Sequence, residues 1–234
     1  MVQLTPNKPY ITMRLKFKKV GSLQYISHLD LVRTMNKIIV RAKLPLWYTE
    51  GFNPKPKMVF AAPLSIGTES NCEFLDIRLI EDISPEEVMA RLNANMTSEM
   101  QVLDAYYTEI PQTDLKWFSY ELRITTLGAS GELAERCERL LLADRVEVEK
   151  KKKSGEMALV DIRPLIRSAE ACLEGEEIVI RAVLSADQSA FLNPELVIKA
   201  LSAKLGILSS GKLTEEYYSI MRLSAHREDM TEFR

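Results

Sequence analysis

The chain has 234 residues, 46% of them hydrophobic and 27% charged, enough to bury one large core or two small ones, and the reading here prefers two. Its formal net charge of −2 hides a segregation: residues 1 to 61 carry 11 Lys or Arg against Asp30 and Glu50, a net of +9, while the remaining 173 carry 20 bases against 31 acids, a net of −11. Cys72, Cys137 and Cys172 are scattered and odd in number, the first residues hold no apolar run that could serve as a signal, and no stretch approaches the roughly 20 apolar residues of a membrane span; a disulfide framework and a membrane protein are excluded, and a cytoplasmic protein is expected.

Thr12 to Lys19 alternates, with Met13, Leu15 and Phe17 on one face and Arg14, Lys16 and Lys18 on the other, which predicts a half-buried strand with a basic outer face. Gly21-Ser22 breaks it. A helix then begins after Ser27, whose hydroxyl can accept the orphan N–H near Asp30, while the Asp30 carboxylate sits in the positive first turn. Leu31, Met35, Ile38 and Ala42, flanked by Val32 and Ile39, recur at helical spacing, and Arg33, Lys37 and Arg41 form the opposite ridge. Like charges four apart repel by a few tenths of a kcal/mol per pair, so the ridge points to an anionic partner or to acids elsewhere in the fold. Lys43-Leu44-Pro45 stops the helix, and the Gly- and Pro-rich E-G-F-N-P-K-P-K that follows is a turn presenting Lys55 and Lys57.

The run from Phe17 to Gly67 contains K-x-G-x-L-x-Y-I-S-H-L-D-L, then L-P-L-x-Y-x-x-G-F-N-P-x-P-K, then F-A-x-P-L-x-x-G. It resembles the radical-SAM-linked family built on domain of unknown function 2344. The motif residues are Ser27, His28, Asp30, Gly51, Phe52, Asn53 and Pro54. The resemblance implies a protein that works beside, or fused behind, a radical SAM enzyme. An iron–sulfur cluster for such chemistry needs a C-x-x-x-C-x-x-C thiolate set, which three isolated cysteines do not supply, so a partner would perform it.

Residues 57 to 62 read as a short strand, 65 to 71 as a turn, and 72 to 80 as a strand with Leu75, Ile77 and Leu79 inward and Phe74, Asp76 and Arg78 outward. Ser84-Pro85-Glu86-Glu87 opens a helix with Val88 and Leu92 inside, residues 100 to 108 form a strand, and Pro111 sits in a linker. This order is the split-βαβ pattern. The second half predicts a strand over 118–126, a helix capped by Ser130, a hairpin of 145–150 with 157–162 around a solvated lysine tip, and a loop or short helix after Pro164. A strand over 177–184, a helix from Asn193-Pro194 to Gly206 and a strand over 216–223 complete it. The expected fold is α+β: two tandem ferredoxin-like units with antiparallel sheets, residues 10–110 and 116–224, and a flexible tail over 225–234.

In such a unit both helices cover one sheet face, leaving Arg14, Lys16 and Lys18 beside Phe74 on the other. Basic side chains would track phosphates and the aromatic would stack on a base. Together with Arg33, Lys37, Arg41, Lys55 and Lys57 they are expected to converge on one RNA-binding surface. His28, in the first helical turn with Tyr25 and Lys57 as candidate neighbours, forms a candidate metal-independent ribonuclease set, similar in architecture alone to the tandem ferredoxin-like ribonucleases that process CRISPR repeats. The competing reading holds His28 structurally between Ser27 and Asp30. His226 is expected to be solvent-exposed and idle. No P-loop, dinucleotide fingerprint, nucleophile elbow or metal set is present in the sequence, and no cofactor is expected. Three functions stay open: a non-enzymatic RNA-binding or substrate-presenting accessory to a radical SAM enzyme, a ribonuclease using His28, and a protein–protein adaptor.

Overall fold

The computed structural model describes residues 10–50, 52, 54–151 and 155–234. The chain divides at Asp114/Leu115 into two compact units, with Arg234 going to the first. Each is a mixed α+β body built on an antiparallel sheet.

The first unit runs β1 (Ile11–Lys19), a 3-10 turn (Gly21–Tyr25), α1 (His28–Arg41), β2 (Met58–Phe60), β3 (Thr68–Leu79), α2 (Pro85–Asn93) and β4 (Met100–Tyr107). Its strands pair in the order β4-β1-β3-β2, every pair antiparallel. Local chemistry sets the helix starts. Ser27 accepts from the Asp30 N–H and Ser84 from the Glu87 N–H, each satisfying one orphan donor. The helix ends where expected, at Arg41, with Lys43 turning back at φ 51° before Pro45. Met13, Leu15 and Phe17 of β1, Leu75, Ile77 and Leu79 of β3, Leu31, Met35, Ile38 and Ile39 of α1, and Val88 and Leu92 of α2 make one core. Both helices therefore cover the same sheet face.

The second unit runs β5 (Trp117–Thr125), α3 (Gly131–Leu141), β6 (Glu147–Lys151), β7 (Met157–Asp161), β8 (Ile166–Glu174), β9 (Glu177–Ser185), α4 (Pro194–Leu205) and β10 (Tyr217–His226). Its sheet order is β10-β5-β9-β8, again antiparallel throughout, and β6 pairs with β7 as a separate hairpin. The expected solvated tip of that hairpin falls partly on residues 152–154, which lie outside the described residues. α4 ends at Gly206 with φ 72°, the left-handed cap that the sequence signals.

Three expectations are corrected here. Residues 166–174, read as a loop or short helix, are the edge strand β8. Their Ala, Glu, Arg and Leu content favours helix, and pairing with β9 through a tight turn at Gly175 (φ 63°) overrides it. The tail read as flexible is held: β10 continues to His226, Phe233 is fully buried, and its N–H donates to the Ala225 carbonyl at 2.9 Å. His226 is half-buried, with its Nε2 2.8 Å from Ser119 Oγ and 2.9 Å from Ser224 Oγ, so it is not an idle solvent residue; burial first of all moves its pKa down.

Candidate nucleic-acid interface

The motif residues of the first unit are held by local bonds. Lys19 is buried and its Nζ donates to the carbonyls of Leu23 at 3.1 Å and Gln24 at 3.4 Å, closing the end of the 3-10 turn. Gly21 sits at φ 62°, and a Cβ there would meet the Glu99 carboxylate that accepts from Ser22, so the position calls for glycine on both counts. Asp30 accepts from Ser27 Oγ at 2.7 Å and from Arg33 at 3.2 Å, and the Ser27 bond leads the fall of its pKa below the ordinary range. His28 packs edge-on to Phe60 at 5.3 Å, and Phe60 packs edge-on to Phe17 at 6.3 Å. His28 is thus seated against a ring that reaches the core. Among the described residues no hydrogen bond joins it to Tyr25, which is 67% exposed, or to Lys57, which is exposed. Phe52 and Pro54 are exposed, and Gly51 and Asn53 lie outside the described residues.

The expected basic surface separates into parts. Met13, Leu15 and Phe17 face α1, so Arg14 and Lys16, alternating with them, project from the opposite face of the sheet, whereas Arg33, Lys37 and Arg41 lie on the solvent side of α1. Strand and helix cations do not form one surface. Arg14, moreover, is fully buried: Nε and Nη2 grip Asp76 at 2.7 and 3.0 Å, and Nη2 also donates to the Ile110 carbonyl at 2.8 Å. Lys16 and Lys18 are half-buried, and Phe74 is 3% exposed, so the latter cannot offer a face to a base. The alternation correctly gives the side on which these residues lie, but alternation carries no information about what covers that side.

On α1, Lys37 and Arg41 are exposed and form no ion pair among the described residues, while Arg33 meets only the exposed Asp30. Lys55 and Lys57 are likewise exposed without an ion pair. Two arginines of the second unit are paired instead. Arg123 reaches Glu121, Glu174 and Glu177 at 2.9, 3.0 and 3.1 Å, and Arg181 reaches Glu121 and Glu174 at 3.1 and 2.8 Å.

Two cavities went unseen in the sequence. One, of about 700 Å³, lies between the β6–β7 hairpin and α4, lined by Val148, Leu159, Ile198, Lys199, Leu208 and Tyr218 among others. The other, of about 290 Å³, opens on the side of the first unit's sheet away from its helices and is lined by Thr12, Asp76, Arg78, Thr108, Glu109 and Gln112 among others. The Arg78 guanidinium lies 4.1 Å from the centre of the Tyr10 ring and 5.5 Å from that of Trp47. Among the described residues no group of three or more His, Cys, Asp or Glu is placed to hold a metal ion. No helix of the described residues is long and apolar enough to cross a membrane.

Among solved structures, the crystal structure of a Cbf5-Nop10-Gar1 complex is similar at a TM-score of 0.51 and 12% identity, over 93% of this chain and 50% of that one. The chain thus spans half the length of that relative, and the likeness is one of fold. The crystal structure of an unknown protein from Galdieria sulphuraria aligns over 91% of this chain and 98% of that one at 8% identity, with a TM-score of only 0.27. No curated protein matches the sequence. The profile of the family described as "Uncharacterized protein conserved in bacteria (DUF2344)" covers residues 12–194, from the first unit through β9 with the capped α1 and the Gly/Pro turn included, and the chain belongs to that family.

Proposed function

We propose that the protein is a cytoplasmic, non-enzymatic RNA-binding accessory to a radical SAM enzyme, and that α1 with the Lys55/Lys57 turn supplies its phosphate contacts. The observation that carries the RNA reading is the contrast in ion pairing. Lys37 and Arg41 stay exposed and unpaired on one ridge among the described residues, whereas Arg123 and Arg181 of the acidic unit are tied to three and two glutamates. Cations kept one turn apart without an acid between them cost a little stability, which a polyanion laid across them offsets. The radical SAM partnership rests on the motif from Phe17 to Gly67. We also read the two units as tandem ferredoxin-like folds; what supports this is the order they share, β4-β1-β3-β2 in one and β10-β5-β9-β8 in the other, with the β6–β7 hairpin inserted in the second.

Anisotropy of a labelled single-stranded RNA against salt tests this reading. Each phosphate neutralised adds about 0.7 to the slope of log K against log salt, so Lys37→Gln/Arg41→Gln flattens it by about 1.4 while the fold holds. An unchanged slope, or no retention of RNA by the natural chain at low salt, overturns it and favours a protein–protein adaptor. Total RNA incubated with the protein in EDTA stays intact; cutting that is lost in His28→Ala would establish the ribonuclease instead.

A further inference from the structure

The cavity on the open side of the first unit's sheet carries opposite signs on neighbouring walls. Its positive group is Arg78. The guanidinium is laid over Tyr10 with Trp47 beyond, a cation–π arrangement that holds its plane and occupies one face, and it makes no ion pair among the described residues. Its N–H edges are what it has left to offer a ligand in the cavity it lines. The negative groups are Asp76, locked in place by buried Arg14, and Glu109, which is exposed at the rim. Gln112 is oriented by its own bond to the Val59 carbonyl at 2.9 Å and adds a neutral amide to the lining.

With the Arg14 that grips Asp76 counted, these charges balance, so the site is poorly suited to a bare phosphate. It suits a planar neutral group that presents two acceptors on one edge and N–H donors on another, and about 290 Å³ is room for a nucleobase with part of its sugar. Guanine has that pattern: O6 and N7 take the fork of an arginine, while N1–H and the exocyclic amine face a carboxylate. Resting on the RNA-binding reading above and deepening it, we infer that this cavity receives an unstacked guanine base of single-stranded RNA, with Arg78 on the O6/N7 edge and Glu109 or Asp76 on the donor edge. Adenine puts an amine where O6 would be, against the arginine; uracil lacks the exocyclic amine. Single-stranded RNA is read in this way, base by base, once its bases are splayed out of the stack.

The experiment uses the full chain carrying Trp117→Phe, so that Trp47 is the one remaining tryptophan and reports on the Arg78 stack. Fluorescence titrations with GMP, AMP, UMP and inorganic phosphate are expected to give GMP an advantage of about tenfold or more over the others, the discrimination a bidentate arginine provides. Arg78→Lys keeps the charge, loses the fork and abolishes the preference, and Glu109→Gln, at an exposed position that folding does not depend on, weakens GMP about tenfold. Lys37→Gln/Arg41→Gln leaves GMP binding unchanged, because the ridge lies on the other side of the sheet. Equal affinity for AMP and GMP, displacement of GMP by phosphate at matched concentration, or no change in Arg78→Lys overturns the inference. RNA retention that depends on the α1 ridge would then leave the RNA reading standing, whereas a GMP preference in a chain whose RNA retention shows no ridge dependence would remove that reading and leave only a guanine-nucleotide site.

Discussion

At the scale of single residues, two of the buried ionic groups, Arg14 and Glu216, set testable limits on what the fold tolerates. Arg14 has no solvent exposure and holds Asp76 through two parallel bonds, so removing Asp76 takes the acid away from a buried guanidinium. Asp76→Ala is expected to cost about 3–5 kcal/mol in urea denaturation, and Arg14→Met/Asp76→Leu distinctly less than the sum of the single changes, because a well-packed apolar pair removes both desolvation costs together. Glu216 is the second group. Its buried carboxylate accepts from Thr126 Oγ1 and from the N–H groups of Leu127, Leu208 and Ser210, tying the loop after α4 to the end of β5. The Thr126 bond, followed by the Ser210 N–H, lowers its pKa to about 2. A depressed carboxylate stabilises the fold fully above its ordinary pKa near 4.5 and progressively less as pH falls toward about 2. Glu216→Gln therefore lowers Tm at pH 7 and flattens the acid limb of stability between about 4.5 and 2; an acid limb identical to that of the natural chain would show that the group is not linked to folding.

At the scale of elements, what each stretch becomes depends on whether its signal is local. The N-caps of α1, α2 and α3 follow from Ser27, Ser84 and Ser130, each accepting from an N–H three residues on, and all three are legible as Ser before a polar first turn. The strand β8 has no such signal. Its residues favour helix, and it forms because β9 lies beside it and Gly175 lets the chain reverse. Nothing crowds a side chain at Gly175, so the only cost of a Cβ there is the left-handed backbone. Gly175→Ala is accordingly expected to cost about 1–2 kcal/mol by thermal melting, and a neutral result would mean that the hairpin relaxes to another turn type. His28 belongs to this scale too. As the first residue of α1 it is placed by the Ser27 cap, and its ring ends against Phe60.

At the scale of the whole molecule, charge is sorted along the chain and then used differently in its two parts. The acidic excess after residue 61 includes a net around Arg123 and Arg181, exposed enough that each bond contributes little by itself while the set fixes β5, β8 and β9 against one another. On the α1 ridge Arg33 has Asp30 alone, and Lys37 and Arg41 have no acid paired with them among the described residues. Arg123→Gln is thus the control for the RNA measurement: it opens the glutamate net and leaves both the affinity and the salt slope unchanged, whereas a loss of RNA binding equal to that of Lys37→Gln/Arg41→Gln would mean that overall charge, not the ridge, attracts the anion.

The sequence by itself determined the helix starts, the α1 stripe of Leu31, Met35 and Ile38, the strands with clean alternation, the charge segregation and the family motif, because caps, periodicity and composition act between residues close in the chain. Only the tertiary structure decided which alternating positions reach solvent. Arg14 and Phe74 sit on the predicted side of their strands and are nevertheless buried, since what lies over a sheet face is set by segments distant in sequence, such as the Ile110 carbonyl that meets Arg14. It also decided that the α1 ridge and the β1 cations lie on opposite faces, that residues 166–174 pair as a strand, and that Arg78 shares a cavity with Asp76 and Glu109. Each depends on long-range contacts, and the period of a pattern records its own face without recording its neighbour.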